Sequence, residues 1–395
     1  MALAPLRVHY YGHIGQGTGY AVAAEHTCRA LLRAGVELEI IPMEIAAYGA
    51  IPVDLLERVR LFDQRHPAAT PPTEQPDIAI VHTLPLSIPE VWKRIPEACT
   101  PDVSIAHTVW EVFSCPRQVA AELASNHDAV WVPSKATRLS ITDALDDSGW
   151  KSRIRVIPHA CSESPIDRKL HDGADRPYRF YYIGAWTARK NPAGLLRAYV
   201  NAFTRADDVE LRIHAPGATA DQISIAVAQL GIPQDQLPRL KFSNNRVDDL
   251  SIRELHRWGD CFVTATRGEG WNLPCFDAMR HGNMIVTTDC IGSDDYLFDV
   301  EAGTSAKRVH HSLAPALLDV TRSHGIGSQV ALTVVGAQGV TAREVWCDPD
   351  LVDLGQKMRR CYEGRELLTV NYDPVTEYGY TAIGKLLADE LNQYR

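Results

Sequence analysis

The chain predicts an α/β protein made of two doubly wound parallel-sheet, Rossmann-like domains. Three observations carry that expectation. Short apolar runs rich in β-branched residues alternate with longer amphipathic stretches, the pattern of βαβ units with a parallel sheet. A polar, turn-rich segment at 161–177, CSESPIDRKLHDGADRP, interrupts the alternation once, and it then restarts. The 395 residues, 45% of them hydrophobic, exceed the roughly 250–300 at which a single core stops growing. The expected division is residues 1–165, residues 175–375, and a C-terminal helix at 376–395 able to cross back to the first domain.

The elements follow in order. RVHYYG (7–12), VELEIIPM (36–43), DIAIVH (77–82), VSIAHT (103–108), DAVWVPS (128–134) and IRVIPHA (154–160) are the strands of the first half. YAVAAEHTCRALLRAG (20–35) is the clearest helix, closed by Gly35. In the second half, YRFYYIGA (178–185), VELRIHAPG (209–217), LKFSNN (240–245), CFVTAT (261–266) and MIVTT (284–288) read as strands. A short helix separates the last two, with Pro274 in its first turn, where a missing amide costs nothing, and Gly282 just past its end. Residues 303–345 fit neither period.

Composition narrows the function classes. A net charge of −9 argues against a protein whose main affinity comes from nucleic-acid phosphates or anionic lipid. Nine cysteines without a CxxC pair indicate neither a disulfide framework nor a zinc knuckle, and a reducing cytosol suits them. The start, MALAPLRVHYYG, lacks the apolar core of a signal peptide, and no stretch reaches the length of a membrane span. Cytoplasmic placement is expected, with peripheral attachment to a membrane as the variant.

Three loops at strand ends carry chemistry. The first, GHIGQGTGY (12–20), joins the first strand to the first long helix, and its glycines allow either a tight turn or close backbone approach to a ligand. GxGxxG is absent, so a dinucleotide site is not indicated. The second, WTARKNP (186–192), puts Arg189 and Lys190 ahead of a helix begun by Asn191 and Pro192. Cations sit badly at a positive helix end, so either an anion lies between them or both are solvated. Loss of Lys190 is then expected to leave stability nearly unchanged.

The third loop, GEGWNLPCFDAM (268–279), sets Glu269 and Asp277 on either side of a turn next to a helix N-terminus, a ready anion site. Carboxylates beside a phosphate repel it, but they accept hydrogen bonds from sugar hydroxyls attached to it. A nucleotide sugar carries a sugar on each flank of its diphosphate. The alternative makes Asp277 a first-turn acid and Glu269 an exposed loop charge.

In this order and spacing the segments GQGTGYAVAAEHTCRALLRAG, HTVWE (107–111), DAVWVPSKAT, RVIPHA, YIGAWTARKNPAGLLRAY and GEGWNLPCFDAM resemble the retaining glycosyltransferases of family 4 (glycosyl transferases group 1), over most of the chain. The resemblance implies the GT-B fold, two domains facing a central cleft, and transfer of a hexose from a UDP- or GDP-hexose with retention of configuration. It implies a donor site of Gly15, Gly17, Thr18, Arg189, Lys190, Glu269, Gly270, Trp271, Asn272, Leu273 and Asp277, with Glu269 near the hexose and Asp277 at the ribose hydroxyls. His107 resembles the family's active-site histidine, the other reading being a structural residue. Glu111, four residues on, is expected to orient it or to touch acceptor. Trp110 and Trp271 read first as packing residues.

The sequence departs from the family in three places. Asp277 stands where Glu is usual, Asn272 where Gly is common, and Ala185 where many relatives carry a basic residue. No cofactor or metal is expected, since the only Asp-x-Asp, DPD at 348–350, reads as a helix cap. The base, the hexose, the linkage, the oligomeric state and the acceptor, whether glycan, lipid, small molecule, protein or nucleic-acid base, carry no motif. A nucleotide-sugar epimerase on the same fold and a degenerate carbohydrate-binding subunit are the competing readings.

Overall fold

In the computed structural model, residues 6–43, 51–61, 70–73, 75–112, 114–164, 166, 176–288, 292–297, 349–364 and 374–395 are described. The stretch 303–345 and most of the segment read as a linker lie outside them.

The first sheet has six parallel strands in the order β2-β1-β3-β4-β5-β6. They are β1 (Arg7–Gly12), β2 (Glu37–Pro42), β3 (Ile78–His82), β4 (Val103–His107), β5 (Ala129–Val132) and β6 (Ile154–Val156). The helices between and after them are α1 (Gly19–Arg33), α2 (Ile88–Trp92), α3 (Arg117–Asn126), α4 (Lys135–Thr142) and α5 (Ser148–Lys151). The second sheet is also parallel, in the order β11-β10-β7-β8-β9. Its strands are β7 (Tyr178–Ile183), β8 (Val209–His214), β9 (Arg239–Ser243), β10 (Cys261–Val263) and β11 (Met284–Val286). With them come α6 (Pro192–Ala202), α7 (Ala220–Ala228), α8 (Asp249–Trp258), α9 (Leu273–Arg280), α10 (Asp294–Leu297), α11 (Leu351–Glu363), α12 (Val375–Tyr378) and α13 (Tyr380–Leu391). Two parallel sheets with crossover helices make this the GT-B architecture of two Rossmann-like domains.

The strand period explains how each sheet is covered on both sides. Val8, Tyr10, Ile40, Ile78 and Ile80 turn to a core shared with Cys28 and Leu31 of α1. Their neighbours Tyr11, Ile41, Ala79 and Val81 turn to the opposite face, against Val119 and Leu123 of α3 and Ile141 of α4. Chain reversal in strand order occurs at β1/β3 and at β7/β10. Ligand crevices open at such points, outside the carboxyl ends of the strands. All three loops singled out above leave those ends.

The end of the chain lies on the first domain. Gly384 of α13 abuts the Ala30 carbonyl, where a Cβ would overlap it, and Tyr380 Oη meets His26 Nδ1 at 2.7 Å. Cys161 N donates to Tyr378 O at 2.7 Å. The strands at the site are shorter than the sequence suggests. β10 stops at Val263 and β11 at Val286, and past these ends Thr288 Oγ1 donates to Thr266 O at 2.7 Å. No described helix is long and apolar enough to cross a membrane.

Candidate functional site

Parallel register gathers side chains at the carboxyl edge of the first sheet. Gly12 pairs with His82, His82 with His107, and His107 with Trp131. The His82 and His107 rings stack 3.8 Å apart, 10° from parallel, and His159 lies 6.3 Å from His107. Both His107 nitrogens, His82 Nε2 and His159 Nδ1 are buried without a hydrogen-bond partner. Burial pushes His107 well below the usual imidazole range, and His82 likewise with His107 beside it. These rings are neutral, and each bare nitrogen carries a desolvation cost of about 1–3 kcal/mol that a ligand hydroxyl would relieve. His82 and His159 escaped the sequence reading. The repeated IVHT (80–83) and IAHT (105–108) at successive strand ends was the available signal.

The glycine loop stands beside them. Gly15 and Gly17 hold φ of 72° and 60°, which a Cβ disfavours, and Thr18 caps α1 by accepting from Ala21 N at 3.2 Å. The Gly15 amide, a candidate phosphate donor, donates to Glu25 Oε1 at 2.9 Å. Burial raises the Glu25 carboxyl, opposed by that amide and by Arg29.

The second and third loops interlock. Asn191 adopts φ 52°, accepts from Gly194 N at 3.1 Å and donates to Ala265 O at 3.0 Å, which ties the start of α6 to the loop after β10. Lys190 Nζ then lies 2.7 Å from both oxygens of Glu269. Arg189 reaches Gly268 O at 2.5 Å, Glu269 Oε2 at 3.5 Å and, across the cleft, Glu111 Oε2 at 2.8 Å. Burial pushes the Glu269 carboxyl up, but Lys190 and Arg189 outweigh it and hold the group below its ordinary range.

Two sequence expectations are corrected here. Glu269 is buried, 5% exposed, and supplies the anion that Lys190 needs at a helix N-terminus, so removal of Lys190 carries a stability cost. Glu111 does not orient His107, whose nitrogens have no partner; its carboxylate is drawn to the Arg189 guanidinium instead.

Beyond Glu269, Trp271 packs among Phe276, Tyr296, Tyr378 and His159. Trp110 donates to Ser114 O at 2.9 Å. Asn272 begins α9 at φ 67° without capping it, and its Nδ2 is buried and unpartnered, unlike the fully bonded Asn191. Leu273 faces the first loop, 4.0 Å from where a Cβ on Gly19 would stand. Asp277 sits apart, 3.7 Å from Arg280; burial raises its carboxyl against the pull of Arg280 and Arg253. No group of three metal-ligating side chains occurs among the described residues.

The two domains touch at the third loop itself. A Cβ on Gly268 would overlap the Glu111 carbonyl, and one on Gly270 would overlap Val109. These glycines serve close approach across the cleft. The groups assembled where the domains meet are two cations with their two carboxylate partners, a helix N-terminus and buried imidazoles with bare nitrogens, a set able to engage an anion that carries hydroxyl groups.

Residues 177–322 match the family model of glycosyl transferases group 1. No curated protein matches the chain in sequence. Among solved structures, HepE of Anabaena in complex with UDP-glucose is similar at TM-score 0.62 and 14% identity, covering 98% of this chain and 100% of that one. The lipopolysaccharide outer core galactosyltransferase WaaB is similar at 0.60 and 13%, covering 99% and 100%. TarM of S. aureus, in complex with UDP among other ligands, is similar at 0.53 and 13%; 80% of this chain is covered and about half, 55%, of TarM. These likenesses establish the fold.

Proposed function

We propose that the chain is a retaining glycosyltransferase that moves a hexose from a UDP- or GDP-hexose to a hydroxyl-bearing acceptor without a metal. The observation that carries this reading is the Arg189–Lys190–Glu269 cluster at the start of α6, set against the glycine loop and the histidines across the cleft. The family match over 177–322 and the UDP and UDP-glucose complexes of structural neighbours support it. Domain limits at 1–165 and 175–375, with 376–395 returning to the first domain, belong to the same reading.

The chemistry follows from placement. The donor's diphosphate lies between Arg189, Lys190 and the amides at the start of α6 and α9, with ribose hydroxyls at Asp277. The hexose lies towards Glu269, Gly270, Asn272 and His107. As the bond to the leaving phosphate breaks, the two cations and the amides stabilise the growing charge, a role in which one donor is worth about 10²–10³ in rate. The acceptor oxygen attacks from the face the diphosphate leaves, which retains configuration. Closure at Gly268 and Gly270 excludes water that would hydrolyse the donor.

Incubation with UDP- and GDP-hexoses tests this. Release of nucleotide dependent on acceptor supports transfer. Interconversion of the nucleotide sugar without release of nucleotide would replace transfer by epimerisation, and binding without turnover would leave a carbohydrate-binding subunit.

A further inference from the structure

The anion-holding features of the cleft are engaged by the protein's own carboxylates: Glu25 on the Gly15 amide, Glu269 on Lys190 and Glu111 on Arg189. The three differ in how firmly they are held. Glu25 and Glu269 are buried, and each belongs to the same domain as its partner. Glu111 comes from the loop after β4 and pairs with a guanidinium in the opposite domain, and its side chain is 36% exposed. Of the three it alone can leave its partner for water cheaply.

Arg189 cannot be left bare. Its side chain is 21% exposed; burial works against its charge, while Glu111 and Glu269 raise its pKa. A mostly buried cation is costly to leave short of partners; without Glu111 the guanidinium keeps Gly268 O at 2.5 Å and Glu269 at 3.5 Å through Nη1, and the Nη2 that Glu111 vacates takes another anion. A diphosphate offers that fork a paired-oxygen partner of higher charge than a carboxylate. The Glu111 backbone stays in place during such an exchange, because Gly268 packs on its carbonyl. Only the side chain needs to swing.

We propose that Glu111 is an exchangeable stand-in for the donor's diphosphate: it holds Arg189 until the diphosphate takes the guanidinium. The proposal rests on the glycosyl-transfer reading above.

Calorimetric titration of the full chain and of Glu111→Gln with UDP, GDP, uridine and guanosine tests the exchange. The Gln side chain keeps the shape and removes the competing charge, so the diphosphate that binds the wild type should bind the variant about tenfold more tightly, the scale of one charge-assisted hydrogen bond. Nucleoside affinity should not change. Unchanged or weaker diphosphate binding overturns the exchange, and weakening of nucleoside and diphosphate alike shows that Glu111 only braces the domains. A wild-type chain that binds neither diphosphate overturns the nucleotide-sugar reading itself, which is a different result from a ratio of one between variant and wild type.

Discussion

Lys190→Ala separates the structural from the chemical role of the cluster. Glu269 is 5% exposed and takes both of its shortest contacts, 2.7 Å each, from Lys190 Nζ. Removing one partner of a buried pair costs about 3–5 kcal/mol. Arg189 remains 3.5 Å away and Lys190 is itself 18% exposed, which brings the figure to about 2–3 kcal/mol. At roughly 2–4 °C per kcal/mol for domains of this size, Tm falls by about 5–10 °C. The pH dependence follows from the depressed Glu269 carboxyl. A group held below its unfolded value stabilises the fold above that value, 4.5, and the contribution disappears as pH falls through the folded-state value. Without Lys190, burial is opposed by Arg189 but no longer by the lysine, so the carboxyl of the folded variant protonates at a higher pH than that of the wild type; the gap between them is full at pH 7, narrows as pH falls through the variant's folded-state value and closes below that of the wild type. Melting curves at pH 7 and near pH 4, alongside donor turnover, measure both roles. Turnover should fall by about 10²–10³ in the folded variant. An unchanged Tm at pH 7, or a deficit that persists undiminished in acid, refutes the buried-pair argument; near-normal turnover removes Lys190 from the mechanism.

Gly268→Ala places a methyl on the Glu111 carbonyl, so the domains must part; a loss of about 1–3 kcal/mol and a larger radius of gyration by small-angle scattering are expected, and an unchanged radius counts against close approach as the reason for glycine. Asp277→Asn should weaken UDP or GDP binding at least tenfold by calorimetry, the scale of a hydrogen bond to a charged acceptor. Because burial raises the Asp277 carboxyl above 3.8, its charge costs stability at neutral pH, and the Asn variant should melt at or above the wild-type temperature at pH 7, the difference closing as pH falls through the folded-state value. Turnover should survive EDTA, and loss restored by Mn²⁺ would show that the two cations do not suffice for the diphosphate.

Much of the fold was legible because its elements are local. The helix over residues 19–33, the asparagine start at 191, the short helix begun near Pro274 and the strands of both sheets follow from periods, caps and turn residues within a dozen positions of one another. Element ends were less legible. β10 and β11 stop short of the β-branched runs that suggest them, and the contact past their ends joins Thr288 to Thr266, 22 residues apart, which no local pattern shows.

The three strand-end loops were determined by the sequence alone, since strand ends, glycines and helix starts are set by neighbours along the chain. Tertiary structure decided who pairs with whom. Sequence offers Glu269 as a partner for sugar hydroxyls or as an exposed loop acid, and neither reading shows its pairing: the loop after β7 folds over the loop after β10 and buries it against Lys190, 79 residues away. His82 and His107 become one stack only through the β3/β4 register, and Glu111 turns from His107 to Arg189 because closure brings a guanidinium within 2.8 Å. The physical reason is range: hydrophobic periods and caps act over a few residues, whereas burial and Coulomb attraction between buried charges depend on distances that exist only once each sheet has formed and, for Glu111 and Arg189, once the two domains have met.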